Sequence, residues 1–260
     1  RDGTMEKFDK SFELLKNSGV KLVRIDFLWQ SIYKNNEYDF SKYDEYLEEL
    51  NKNGIQIVAI LNGFGNLAGS DKKINTQEEI ESFCEFAKQV IKRYPFIKKV
   101  EVLNEVNMIS SYKGAYLEKE EANWYVKLMK NLKDIDNSIE WISAGTATPA
   151  QDYADENENI ITSEEFYRNL FDNKFYKYNS NYAIHPYCNN ANNNIFFYQT
   201  LDSHQKLFND FGGFCYKNIT EYGYSNYNNQ ENGEEIQAQK LVQQSAILDK
   251  YYNRRSKDTI

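Results

Sequence analysis

Cysteine and histidine are both scarce in this chain. Cys84, Cys188 and Cys215 are three cysteines in 260 residues, an odd count with no C-x-x-C pair, so neither a disulfide framework nor a cysteine zinc site is available. His185 and His204 are the two histidines, too few for a histidine-based metal cluster. Positive charge is also short: 31 Lys and Arg face 39 Asp and Glu, for a net charge of −8, which removes the basic face a nucleic-acid partner demands. No apolar run approaches the roughly 20 residues of a membrane span. There is no Gly-rich phosphate turn and no apolar targeting segment. The chain opens on Arg1 rather than methionine, so trimming at both ends is expected, with any signal peptide out of view.

Aromatic residues are plentiful. They make up 15% of the chain, with 21 tyrosines, far too many for a disordered segment even at a mean hydropathy of −0.76. A tyrosine offers a flat apolar face and a hydroxyl, which suits a polar, hydroxyl-rich ligand.

Hydrophobic periodicity alternates between helix and strand along the whole chain. Phe8, Phe12 and Leu15 recur at helical spacing and Gly19 stops that helix. Residues 20–28 (VKLVRIDFL) and 55–61 (IQIVAIL) are β-branched runs, the second apolar throughout, as expected of a parallel strand buried on both faces. Ser41-x-x-Asp44, Thr76-x-x-Glu79 and Thr162-x-x-Glu165 read as capping boxes that open helices. Further strands are expected at 98–104, 139–144, 182–187 and 216–222, and a closing helix from about Glu234 to Arg254. Trp124 and Trp141 read as core, and His204, at helical spacing, as structural. Helix-to-strand links are short, whereas strand-to-helix links are long and rich in Gly, Asn, Ser and Tyr. Repeating βα units of roughly 40 residues with this asymmetry predict a (β/α)8 TIM barrel in one domain, residues 1–260, with barrel strands 2 to 7 readable. Strand 1 would precede the chain, and Asp258-Thr259-Ile260 would open strand 8.

Two strands end in glutamates: Lys98 to Asn107 (KKVEVLNEVN) and Asn218 to Gly223 (NITEYG). Glu105 and Glu221 are separated by close to three βα repeats, so they belong at the same height of strands that face one another across a barrel mouth. Two carboxylates facing one pocket suit glycoside hydrolysis. Cys215 and Cys188 are expected at opposite ends of neighbouring strands, beyond disulfide reach.

Four segments in this order resemble clan A of the retaining glycoside hydrolases, most closely family 39 and related bacterial polysaccharide-degrading enzymes. Val100 to Asn107 looks like the strand 4 signature, which implies Glu105 as general acid/base and Asn104 as partner of the sugar 2-hydroxyl. Ile219 to Gly223 looks like the strand 7 signature, which implies Glu221 as nucleophile. Leu22 to Asp26 with Trp29 is similar to strand 2, where Arg24 would bond the nucleophile; a structural ion pair with Asp26 or Glu101 is its alternative role. His185-Pro186-Tyr187 looks like the strand 6 motif, with Tyr187 holding Glu221 and His185 lining the pocket. Leu103 and Val106 stand where that family usually has tryptophan and proline. Trp29 either floors a sugar subsite or plugs the barrel, and Asn62 and the 189–194 asparagine run are loop-position candidates for sugar contacts.

The resemblance implies an O-glycosyl hydrolase that retains anomeric configuration, acts on a polysaccharide or oligosaccharide, and needs neither metal nor organic cofactor. An endo-acting, monomeric enzyme at an extracellular or cell-surface location is expected. An exo-acting β-xylosidase-like enzyme and a non-catalytic glycan-binding barrel are the alternatives. A barrel lyase or aldolase would need a Schiff-base lysine or a metal set at the strand ends, and the sequence offers neither.

Overall fold

The computed structural model describes residues 5–63, 74–109, 115–149, 151–187, 194–212, 216–224 and 233–255. Six parallel strands form one curled sheet: β1 (Leu22–Leu28), β4 (Gln56–Asn62), β5 (Lys99–Asn104), β6 (Glu140–Ala147), β7 (Asn181–His185) and β8 (Tyr216–Ile219). Their spatial order is β1-β4-β5-β6-β7-β8. Each strand therefore pairs with the next one in sequence, with no reversal point of the kind a doubly wound sheet requires. The result is a half-barrel, consistent with part of a TIM barrel. Among the described residues, β1 and β8 are its edges.

The helices pack on the outer face: α1 (Met5–Asn17), α2 (Trp29–Ile32), α3 (Ser41–Lys52), α4 (Gln77–Arg93), α5 (Lys119–Ile135), α6 (Gln151–Asp155), α7 (Ser163–Asp172), α8 (Asn194–Gly212) and α9 (Gly233–Arg255). A two-residue hairpin, β2 (Tyr33–Lys34) and β3 (Glu37–Tyr38), turns at Asn35 and Asn36, whose φ of 52° and 64° suit the asparagine-tolerant left-handed turn. Thr76 forms a capping box with Glu79, and the Thr162 side chain accepts from the Glu165 amide. Ser41 behaves differently. It is the first residue inside α3, and Asp44, its expected partner, is drawn away by Arg93 at the end of α4 and by Tyr94 just after it.

Strand periodicity divides the core into two. Ile57, Ala59, Leu61, Val100, Val102, Trp141, Tyr182 and Ile184 point outward into the large cluster under the helices. The intervening Val58, Ile142 and Ala183 form a small separate cluster on the inner face. Arg24 and Glu101 share that inner parity, since Val23, Ile25, Val100 and Val102 all face the helices. Phe83, Phe86, Phe166 and Phe175 are fully buried in the outer layer. Each contributes about 1.5–3 kcal/mol relative to exposure. Trp141 belongs to this core, whereas Trp124 lies at its margin with Lys127 Nζ 3.9 Å from its ring centroid. Cys84 is a buried free thiol, and burial pushes its pKa up to about 12; Cys188 and Cys215 lie outside the described residues.

Two buried tyrosines are built into the sheet itself. The Tyr125 hydroxyl of α5 donates to Val102 O (2.9 Å) and accepts from Ala144 N (2.7 Å), taking the place of a ladder bond between β5 and β6. The Tyr167 hydroxyl of α7 accepts from Ala183 N (3.1 Å) and donates to Ala183 O (2.5 Å), close to where β6 and β7 begin to pair, at Thr146 and Ile184. A buried tyrosine must satisfy its hydroxyl, and here the strands supply both partners.

Candidate active site

The site is built on the inner face of the sheet, from Arg24 within β1 and from residues at or just past the carboxyl ends of β5, β7 and β8. The end of β5 leaves regular strand geometry: Leu103 has a φ of 67° and Glu105 a φ of 47°, both left-handed. Such a conformation costs roughly 1–2 kcal/mol per non-glycine residue. The Tyr125 hydroxyl fills the ladder positions beside Leu103, and Glu105 N donates to Gly145 O at 2.8 Å. Together these bonds hold the turn that aims the Glu105 side chain across the sheet. Just beyond, the buried Asn107 donates to Ala147 O and Ile161 O and accepts from Ala147 N, tying the turn to the end of β6 and to the segment before α7.

Arg24 is the centre of the constellation. Its Nε donates to Glu101 Oε2 (2.7 Å) and its Nη2 to Glu101 Oε1 (2.9 Å), a fork on a carboxylate that is completely buried. Nη2 also donates to Asn104 Oδ1 at 2.8 Å, while Nη1 donates to Glu221 Oε1. The second Glu221 oxygen accepts from the Tyr187 hydroxyl at 2.9 Å. Arg24 thus fills both roles open to it from sequence, with Glu101 rather than Asp26 as its structural partner.

His185 connects the two strand-end glutamates. Its Nδ1 lies 3.1 Å from Glu105 Oε1, and its Nε2 lies 3.0 Å from Thr220 Oγ1 and 3.8 Å from Glu221 Oε1. Thr220 also reaches Glu101 Oε1 at 3.3 Å. The fully buried imidazole crosses over Gly145; a Cβ there would overlap His185 Nε2 and sit 2.6 Å from His185 Cδ2 and 2.7 Å from Thr220 Oγ1. A strand-interior glycine is the signal of such a close approach.

One oxygen from each of Glu105 and Glu221 and one ring nitrogen of His185 lie within 4.8 Å of one another. Three ligand atoms this close could in principle hold a cation. The Arg24 guanidinium already supplies the positive charge at Glu221. Burial disfavours ionisation of Glu221, but the charges of His185 and Arg24 and the hydrogen bonds from Tyr187 and Arg24 outweigh it, leaving the carboxyl below its usual range. Burial and the neighbouring Glu221 carboxylate push the Tyr187 hydroxyl up to about 12, so it stays a donor at neutral pH. Arg24 is raised as well: burial opposes its charge, and the bonds and charges of Glu101 and Glu221 more than compensate.

The structure brings Arg24, Asn104, Glu105, His185, Tyr187 and Glu221 together and leaves two expected residues aside. Trp29 is only 2% exposed and packs in the outer core, stacked on Phe86 and edge-on to Phe83, so it takes neither place the sequence offers it, a sugar floor or a barrel plug. It starts α2 rather than continuing β1, which turns the indole toward α4. Asn62 is 8% exposed and spends its amide on Asp26 (3.3 Å) and on the Gly63 amide (2.8 Å). The asparagines at 189–193 lie outside the described residues. His204 is buried in a polar chain, with Nδ1 donating to Thr200 O and Nε2 bonded to Ser163 Oγ, away from the site. A cleft of about 830 Å³ lies between the N-terminal turns of α5 and α7 and residues 154–161, lined by Glu118, Glu121, Asp155, Glu156, Glu158 and Glu165 among others, and no residue of the constellation lines it. Thr220, Gly145 and Asn107 received no role from sequence, and Glu101 only that of an alternative ion-pair partner.

Solved structures with a similar fold are glycosidases. A family 39 glycoside hydrolase from the gut symbiont Bacteroides cellulosilyticus WH2 superposes with a TM-score of 0.65 at 17% identity, covering 95% of this chain and 51% of that one. The chain shares the fold of part of that hydrolase. A β-glucosidase from Exiguobacterium marinum (TM-score 0.60, 13% identity, 95% of this chain and 75% of that one) has the same fold. So does a β-D-glucuronidase from Dictyoglomus thermophilum (TM-score 0.59, 14% identity, 95% and 39%). The chain spans about half the length of the family 39 structure. No protein-family profile and no curated relative matches the sequence.

Proposed function

We propose that this protein is a retaining β-glycoside hydrolase that cleaves within a polysaccharide or oligosaccharide chain by double displacement. The observation that carries the reading is the approach of the two glutamates, whose nearest carboxylate oxygens lie within 4.8 Å. Retaining enzymes hold their carboxyls about 5–5.5 Å apart, whereas inverting enzymes leave 6.5–9.5 Å for a water. The environments of the two groups also differ in the way the reaction needs. Glu221 is fixed by Arg24 and Tyr187 and held ionised, ready to attack the anomeric carbon. Glu105 touches neither of those residues through a hydrogen bond among the described contacts and has His185 beside one oxygen.

In this mechanism Glu105 gives its proton to the leaving oxygen as Glu221 forms the glycosyl-enzyme. Glu105, now a carboxylate, takes a proton from water, which attacks the anomeric carbon and releases Glu221. Asn104, held by Arg24 through its Oδ1, keeps its amide N–H groups for the sugar 2-hydroxyl. The exposed Tyr187, the partly buried Glu221 and the incompletely covered Glu105 line the open side of the constellation, where an internal sugar of a chain is accommodated. A polymeric substrate favours an extracellular or cell-surface setting. The strand ends correspond to barrel strands 2, 4, 6 and 7 in this reading.

The test is turnover of a polysaccharide panel and of aryl β-glycosides by the protein and by Glu221→Ala. Loss of activity in the variant, with partial rescue by azide giving an inverted glycosyl azide, supports the nucleophile assignment. Undiminished turnover by Glu221→Ala contradicts it.

A further inference from the structure

Glu101 is a carboxylate that the glycosidase chemistry does not use. It is 0% exposed, one strand face away from solvent, and burying a lone charge is costly unless it is paired and hydrogen-bonded. It is fully provided for: Arg24 Nε and Nη2, the Gly145 amide (2.8 Å) and the Thr220 hydroxyl (3.3 Å) all donate to it. All four donors belong to three residues that also touch the catalytic glutamates or the histidine between them. Arg24 bonds Glu221, Thr220 bonds His185, and the Gly145 carbonyl holds the Glu105 amide.

A planar guanidinium offers five N–H groups in a rigid fork, so fixing one edge of it fixes where the other edge points. Glu101 takes the Nε edge in two bonds, and this leaves Nη1 for Glu221 and the rest of Nη2 for Asn104. One cation therefore serves two carboxylates. A nucleophile fully neutralised by its own arginine would be held in its ground state, whereas a shared arginine orients it and leaves charge to donate.

We propose that Glu101 is a positioning residue that anchors Arg24 and, through it, sets how far the Glu221 carboxylate is neutralised. The inference rests on the reading of Glu221 as nucleophile. Among the described residues, the charged or titratable groups around Glu221 are Arg24 from β1, Glu101 and Glu105 from β5 and its turn, and His185 and Tyr187 from β7 and the residues after it. Changing Glu101 alters one of these directly and the aim of a second.

The experiment follows the ionisation of Glu221 by NMR of a carbon-13 label in the glutamate side-chain carboxyl, with Glu221→Gln assigning the signal, in the protein and in Glu101→Gln. The expected result is a midpoint lower by about one pH unit in Glu101→Gln, because the guanidinium then faces one carboxylate instead of two. The acid limb of kcat/KM on aryl β-glycosides moves down with it, which a purely structural role would not produce. A midpoint that stays in place or rises overturns the proposal. If Glu101→Gln does not fold, Glu101→Asp carries the test. It withdraws the carboxylate from the fork by one methylene, Arg24 turns further toward Glu221, and the midpoint again falls; an unchanged midpoint there overturns the proposal equally. The titration needs no turnover. A fallen midpoint in a protein that cleaves no aryl glycoside leaves the Glu101 assignment standing and removes the nucleophile reading alone.

Discussion

Removing Arg24 is the perturbation whose size the structure fixes best. Arg24→Met keeps the bulk of the stem and deletes every N–H, leaving Glu101 with no cation at 0% exposure. Breaking a buried pair by taking one partner away costs about 3–5 kcal/mol, because the remaining charge stays buried and uncompensated. In a chain of this size that is a fall in Tm of roughly 6–20 °C. Restoring balance should restore stability: in Arg24→Met with Glu101→Met both charges are gone, and replacing a buried pair by apolar groups is often neutral or stabilising. Urea unfolding of the parent, both single variants and the double variant reads the coupling as a double-mutant cycle. Activity gives the second readout. The double variant is predicted to fold nearly as well as the parent and yet to lose turnover, since Glu221 has lost its cationic donor and Asn104 its anchor. A double variant as unstable as Arg24→Met, or a single variant within 1 kcal/mol of the parent, would refute the reasoning, the margin being that of an exposed pair.

Three further predictions follow from contacts at the same strand ends. Gly145→Ala places a methyl group against His185 and Thr220, and is predicted to cost about 1–3 kcal/mol of stability and most of the activity; parent-like kinetics would contradict the packing. Tyr125→Phe leaves Val102 O and Ala144 N without their partner, at about 1–3 kcal/mol for each buried group, and is checked by chemical unfolding and by amide exchange at Ala144. Glu221 has a folded pKa below its unfolded one, so its contribution to stability is fully present above the ordinary carboxylate range and is lost as pH falls through the folded value. Glu221→Gln is therefore predicted to flatten the acid limb of the stability profile, and an unchanged limb in a pH series of thermal melts would count against the assignment.

The sheet was legible because its strands carry continuous β-branched runs, and their order follows from alternation with helices of the right length. Glu105 and Glu221 were legible because carboxylates at the ends of apolar strands are costly unless they converge, whereas Arg24, His185 and Tyr187 came from the resemblance to glycoside hydrolase motifs; the structure brings all five together. Neither a sugar floor nor a barrel plug is where Trp29 lies, because nothing in its immediate neighbours says whether the chain continues as strand or turns into α2, and that single choice decides which face the indole takes. Ser41 illustrates a weakness of short motifs, since Asp44 has a stronger partner 49 positions away in Arg93. The role of Glu101 was hidden by its surroundings. It sits between Val100 and Val102 in an unbroken strand, and only the inward parity it shares with Arg24 brings the two together. The left-handed Leu103 was invisible too, because the Tyr125 hydroxyl that supports the bent strand end arrives from a helix 23 positions away from Val102.

The most direct test of the account is the anomeric configuration of the first-formed product, followed by proton NMR during hydrolysis of a β-linked substrate before mutarotation sets in. The account predicts that the β-anomer appears first, as two displacements at one carbon require when the carboxylate oxygens lie within 4.8 Å. Initial release of the α-anomer would contradict it, leaving Glu105 and Glu221 as a pair but removing Glu221 from the role of nucleophile.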